Sequence, residues 1–109
     1  MTDREARIAR NETIARDINE GIEEALATRS AEGYVRMVCE CGRGECEQMI
    51  AISLSEYEGA RRDPRCFAVV KDHVMAEVEE IVSETDRFAI VRKREGTPAQ
   101  VAEATDPRA

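Results

Sequence analysis

Apolar residues in the first 28 positions follow a helical period. One recurs at every fourth position, at Ile14, Ile18, Ile22 and Leu26. This spacing predicts an α-helix from Thr2 to Thr28 with the apolar stripe toward the core. The opposite face is expected to be solvated, with weak pairs between its charged side chains, which are Glu5, Arg7, Arg10, Glu12, Arg16 and Asp17.

Apolar and polar residues alternate in the middle of the chain. The alternation over Tyr34–Cys39, and again over Glu47–Leu54, predicts two β-strands. Between these segments, Gly42 and Gly44 allow the backbone conformations of a tight turn. We therefore expect a β-hairpin whose tip carries cysteines.

A short helix is expected directly after this hairpin. Ser55 and Glu58 have the spacing of a capping box, in which each residue satisfies a backbone N–H group of the other. The helix should end by Asp63, because Pro64 disfavours helical geometry in the residue before it.

Further strands follow. The apolar run Phe67–Val70 predicts a short strand, and the segments Val78–Glu84 and Arg87–Lys93 predict a second hairpin around Thr85-Asp86. Val78–Glu84 also fits a helical period, but we favour the strand. From Arg94 onward glycine and proline accompany few apolar residues, which indicates a disordered tail.

These elements together predict an α+β fold with a long N-terminal helix and one short helix. The hairpins form a small antiparallel sheet, and a metal site closes the structure. A chain of 109 residues favours one domain. We assign residues 1–93 to a single small metal-binding domain and residues 94–109 to the disordered tail.

Composition restricts the function. A formal charge of -7 argues against nucleic-acid binding, which needs excess lysine and arginine. No apolar run approaches the length of a membrane span. No export signal is recognisable, so we expect a cytoplasmic protein with reduced thiols. Tryptophan is absent and only four residues are aromatic, so the core is thin and a metal ion would help to stabilise it.

The spacing Cys39-x-Cys41-x4-Cys46 is the most informative pattern in the chain. Zinc in structural sites takes four thiolate or imidazole ligands in a tetrahedron. His73 follows the predicted strand Phe67–Val70 and would supply the fourth ligand from its loop. We predict a Zn²⁺ site formed by Cys39, Cys41, Cys46 and His73, with Cys66 as the competing fourth ligand.

Other interpretations of the cysteines remain open. Free cysteines are often small buried hydrophobes, but Cys41 and Cys46 lie in a polar, glycine-rich loop where burial is not expected. Disulfides would require an oxidising compartment. Three thiolates also suit iron or copper(I). Glu40 and Glu45 flank the cysteines and are expected to be solvated loop residues.

The cysteine motif and the residues around it resemble a group of short actinobacterial proteins of uncharacterised function. The resemblance covers roughly residues 10 to 93 and is most specific at Cys39-Glu40-Cys41-Gly42 and Cys46, followed by Ile50–Ser55 and His73. It implies that Cys39, Cys41, Cys46 and His73 are shared metal ligands and that Cys66 lies outside the pattern. The chain departs from the group at Lys71-Asp72, where Pro-Gly is expected.

Three functional hypotheses follow. The first is an adaptor or regulatory protein with a structural zinc site that acts by binding another protein, with homodimerisation through the N-terminal helix as one form. The second is a redox switch in which the cysteines release zinc and form a disulfide, with Cys66 as resolving partner. A zinc enzyme ranks third, because no phosphate-binding loop, nucleophile elbow or deaminase signature occurs.

Overall fold

The computed structural model describes residues 3–27 and 33–108 of the 109. It confirms the predicted α+β fold, with a long first helix and small antiparallel sheets. The elements, in chain order, are α1 (Asp3–Ala27), β1 (Tyr34–Val38), β2 (Met49–Ser53), α2 (Leu54–Arg61), β3 (Cys66–Val69), β4 (Glu79–Glu84), β5 (Ala89–Lys93) and α3 (Thr97–Ala104). Thr2 and Thr28, the predicted ends of the first helix, lie outside the described residues.

The five strands form two antiparallel sheets where one was expected. β1 and β2 pair as the predicted hairpin, with Tyr34 opposite Ser53 and Val38 opposite Met49. The other sheet has the order β3-β5-β4. Its β4–β5 hairpin confirms the second predicted hairpin, so the helical alternative for Val78–Glu84 is wrong.

The core consists of two clusters of buried side chains. One joins the β1–β2 hairpin and α2 to one face of β3 and β5, and includes Ile52, Tyr57 and Cys66. The other includes Phe67 and Val91 and contains two of the predicted metal ligands, Cys39 and Cys41. The predicted metal site therefore lies at the edge of the second cluster.

The orientation predicted for α1 is wrong in its middle turns, although Ile22 of the stripe packs against the core as expected. Ile14 and Ile18 of the apolar stripe are about half exposed (51% and 48%), whereas Arg16 of the opposite face is fully buried. The Arg16 guanidinium group donates to the backbone carbonyls of Pro64 (2.8 Å) and Ala102 (3.0 Å). Buried hydrogen-bond acceptors on distant segments thus override the apolar periodicity.

A second charged residue of that face, Glu12, joins a buried ion-pair cluster. Lys93 lies between Glu12 and Glu79, and its Nζ is 2.7 Å from Glu79 Oε1. All three side chains are at least 94% buried. Burial raises the pKa of Glu12 to about 7, although the Lys93 ammonium group opposes the shift.

The capping box of α2 starts two residues earlier than predicted. The Ser53 hydroxyl accepts from the Glu56 backbone N–H (3.0 Å), and the Glu56 carboxylate accepts from the Ser53 N–H (2.8 Å). Ser53 and Ser55 both precede a glutamate by three positions, and the end of β2 at Ser53 selects the first. The helix ends at Arg61, before Pro64, as predicted.

The prediction of a disordered tail from residue 94 is also wrong. Residues Thr97–Ala104 form α3. Pro98 lies in its first turn, and Ala99 and Ala102 are buried. α3 packs against α1 and β5. Its apolar side chains are mostly alanines, which explains why a hydrophobicity pattern did not reveal the helix.

Candidate metal centre

The four predicted ligands come together at one end of the β1–β2 hairpin. Cys39 directly follows β1, Cys41 and Cys46 lie in the loop between β1 and β2, and His73 ends a single 3-10 turn after β3. One donor atom from each residue lies within 4.8 Å of the other three. The four side chains thus form a candidate metal site from two segments far apart in sequence.

Two of the donor distances fit tetrahedral coordination. His73 Nδ1 is 3.6 Å from Cys39 Sγ and 3.5 Å from Cys46 Sγ. A tetrahedron with zinc–sulfur bonds of about 2.3 Å and a zinc–nitrogen bond of about 2.0 Å has a sulfur–nitrogen edge of about 3.5 Å. These two spacings fit an ion bound through Nδ1 of His73, and the other donor pairs lie within 4.8 Å of one another.

Cys66, the competing ligand, is not part of this group. It is 5% exposed and lies on β3 within the core cluster that includes Ile52 and Tyr57. Burial raises the pKa of the Cys66 thiol to about 11. This cysteine therefore behaves as a small core residue.

Backbone hydrogen bonds hold both ligand segments in place. The His73 N–H donates to the Val70 carbonyl (2.8 Å), which closes the 3-10 turn. The Val70 N–H donates to Cys39 Sγ (3.2 Å) and so connects this turn to the first ligand. The Cys39 N–H donates to the Gln48 carbonyl (3.0 Å) at the mouth of the loop.

A backbone N–H group two positions later favours the thiolate form of each cysteine and so lowers its pKa. These groups belong to Cys41 for Cys39, to Arg43 for Cys41 and to Gln48 for Cys46. Amide groups around the sulfurs of a metal site orient the ligands in this way.

The thiols interact strongly with one another. The hydrogen bond from Cys39 lowers the pKa of Cys41 to about 5, and the same contact raises the pKa of Cys39. Burial raises the pKa of Cys46. One thiolate is therefore favoured at neutral pH, whereas a divalent cation would stabilise all three.

Glu40, between the first two cysteines, is fully buried, so the expectation that it is solvated is wrong. Its carboxylate accepts hydrogen bonds from the Ala68 N–H (2.8 Å), the Tyr57 hydroxyl (2.8 Å) and Asn19 Nδ2 (2.9 Å). Burial raises the pKa of Glu40, and these hydrogen bonds oppose the shift. Glu45 is exposed, as expected.

The Glu40 contacts explain how two cysteines at alternate positions can face one ion. The Glu40 N–H also donates to the Ala68 carbonyl (2.8 Å), so Glu40 adds a short pairing with β3 to the end of the first hairpin. This pairing fixes the backbone between Cys39 and Cys41. Sequence reasoning missed the role of Glu40, because an isolated acidic residue in a loop is ordinarily solvated.

Helix α1 closes the side of the loop that carries Gly42. A Cβ atom at Gly42 would lie 3.0 Å from both the Cβ and the carbonyl oxygen of Ile8. Asn11 Nδ2 donates to the Gly42 carbonyl (3.1 Å). Gly42 is therefore needed for the close approach of α1 to the ligand loop.

The site is closed on one side and accessible on the other. Cys39 and Cys41 are each 4% exposed, so the expectation that Cys41 resists burial is wrong. Cys46 and His73 are half-buried. Access to the sulfurs is therefore through Cys46.

No protein-family model, curated protein or solved structure matches this chain. The resemblance to short actinobacterial proteins stays a prediction. Within residues 3–27 and 33–108, no helix combines the length and apolar composition needed to cross a bilayer.

Proposed function

We propose that this protein binds one zinc ion through Cys39, Cys41, Cys46 and His73, and that the ion stabilises the fold. The sulfur–nitrogen spacings of 3.5 and 3.6 Å carry this proposal, because they equal the edge of a zinc tetrahedron. Three thiolates and one imidazole fill all four positions. A closed ligand set of this kind is typical of structural zinc and favours a binding role over a catalytic one.

The zinc proposal is tested by metal analysis of protein purified without added metal. We expect about one zinc per chain, and a Cys46→Ser variant that retains much less. Cys66→Ser is the matched control and should keep the full content. Purified protein that is folded and free of metal, or that holds iron or copper instead, would overturn the assignment.

We further propose that the protein is a cytoplasmic adaptor or regulator that binds another protein through α1. The supporting observation is that Ile14 and Ile18 lie on one exposed face of this helix. Contiguous exposed apolar patches often mark interaction surfaces. A second copy of the chain is the partner that can be tested directly.

Sedimentation velocity over a range of concentrations tests self-association. We expect a concentration-dependent dimer that is weakened by Ile18→Glu. Asp17→Glu, at an exposed position of the same helix, is the control and should leave association unchanged. A monomer at every concentration would exclude the homodimer.

A thiol switch is a second candidate, favoured by the accessible Cys46 beside two buried sulfurs. Two of the three thiolates would give up two electrons and form a disulfide, while a peroxide takes up those electrons with two protons and is reduced to water. Zinc release under mild peroxide, reversed by dithiothreitol, would support this function. Oxidation only after denaturation would exclude it.

A further inference from the structure

A cleft of about 500 Å³ lies beside the metal site, between the start of α1 and the ligand loop. Three arginines line it, Arg4 and Arg7 from α1 and Arg43 from the loop. Its volume is within the range of small-molecule sites. Arg43 lies 36 or more positions from Arg4 and Arg7 in the sequence, and only the packing of α1 on Gly42 brings the three to one cleft.

These three arginines have no acidic partner within the described residues, 3–27 and 33–108. The ion pairs of that part of the chain use other arginines, namely Arg61, Arg65, Arg87, Arg92 and Arg108. Glu77 is the single acidic side chain that lines the cleft, and it forms none of these ion pairs. The cleft therefore concentrates positive charge on a protein whose net charge is -7.

The electrostatics of this cleft favour an anion. Like charges that line a concave surface reinforce one another's field and attract counter-ions to it. Arg4 is also in the first turn of α1, where the helix dipole disfavours a cation. A bound anion would relieve both effects, and guanidinium groups bind phosphate oxygens in pairs of parallel hydrogen bonds.

The rest of the lining indicates an organic ligand. Next to the arginines, the cleft has an apolar wall formed by Ile8, Val74 and Met75. The loop segment Gly42-Arg43-Gly44 is too short to hold a phosphate alone, and Arg4 and Arg7 of α1 provide the missing donors. We propose that this cleft binds a small organic anion with two neighbouring phosphate groups, whose uncharged part contacts the apolar wall.

The proposal goes beyond the zinc function and is tested on the zinc-loaded full chain. Binding of a nucleoside diphosphate and of inorganic pyrophosphate is followed by backbone amide NMR. We expect saturable shifts centred on Arg7, Asn11 and Gly42–Gly44. The organic ligand should bind more tightly than pyrophosphate, because only it reaches the apolar wall.

Charge-matched variants make the test specific. Arg7→Gln and Arg43→Gln should each weaken binding about two- to fivefold, the effect of one exposed ion pair. Arg62→Gln removes the same charge at an exposed position outside the cleft and should leave affinity unchanged.

Absent or delocalised shifts, or equal weakening by all three variants, would overturn the proposal. Equal affinity of the two ligands would exclude the organic ligand and leave a site for free anions. Zinc content is measured in the same samples, so that failure of anion binding is distinguishable from failure of the metal site.

Discussion

At the scale of single residues, the ligand loop depends on side chains that are not ligands. Glu40 attaches the loop to β3, and Gly42 permits the approach of α1. Neither has the chemistry of a metal ligand. Both matter because the groups around a metal site orient its ligands.

Gly42 and Gly21 are expected to respond oppositely to substitution by alanine. Gly42→Ala should lower the free energy of unfolding by about 1–3 kcal/mol, because the new methyl group meets Ile8. Gly21→Ala should raise it by about 0.5–1 kcal/mol, because Gly21 lies inside α1 with open space around it. Urea denaturation of both zinc-loaded variants measures the difference, and equal effects would contradict the close packing at Gly42.

Glu12 should make stability depend on pH between about 4.5 and 7. Its pKa in the folded protein is about 7 against an ordinary 4.5, so the folded chain retains a proton that the unfolded chain has released. This contribution to stability is therefore lost as pH rises through that window, at no more than about 1.4 kcal/mol per pH unit.

Glu12→Gln should remove this slope, because glutamine resembles the protonated carboxyl and leaves Lys93 paired with Glu79. Urea denaturation of wild type and variant from pH 5.5 to 8 measures the effect. Glu24→Gln removes an exposed carboxylate from the same helix and should retain the wild-type slope. Identical slopes for wild type and Glu12→Gln would contradict the role of Glu12.

At the scale of elements, the helices show where sequence patterns fail. The hairpins and the end of α2 depend on local alternation and on Pro64, so they could be predicted. The buried face of α1 depends on Arg16, whose acceptors at Pro64 and Ala102 are 48 and 86 residues away. A local pattern contains no information about partners at such distances.

Helix α3 is expected to be structurally necessary. Ala102→Glu should lower the free energy of unfolding by several kcal/mol, because the site is 3% exposed and offers no water to a new carboxylate. Gln100→Glu introduces the same group on the exposed face of α3 and should change stability by less than about 0.5 kcal/mol. If urea denaturation shows similarly small changes in the free energy of unfolding for both variants, the result would support a disordered tail.

At the scale of the whole molecule, the candidate ligands were predictable and their supports were not. The ligands are cysteines and a histidine, residue types that bind metals strongly, and the spacing of the cysteines indicates a metal site. The structure places the donor atoms of Cys39, Cys41, Cys46 and His73 together. The anchors Glu40, Asn19 and Tyr57 form a buried polar network that requires the tertiary fold. Their residue types are common, so sequence alone did not distinguish them.

The ligand arrangement implies that folding and zinc binding are linked across the molecule. The ion would join the end of the first hairpin to the turn after β3, and so would connect the two sheets. For a ligand bound only by the folded state, each tenfold rise in free zinc above the dissociation constant adds about 1.4 kcal/mol to the free energy of unfolding. Urea denaturation in zinc buffers should show this slope for the wild type and for Cys66→Ser, and a flat response for Cys39→Ser. A wild-type midpoint independent of free zinc would mean that the four donors do not hold the sheets together through an ion.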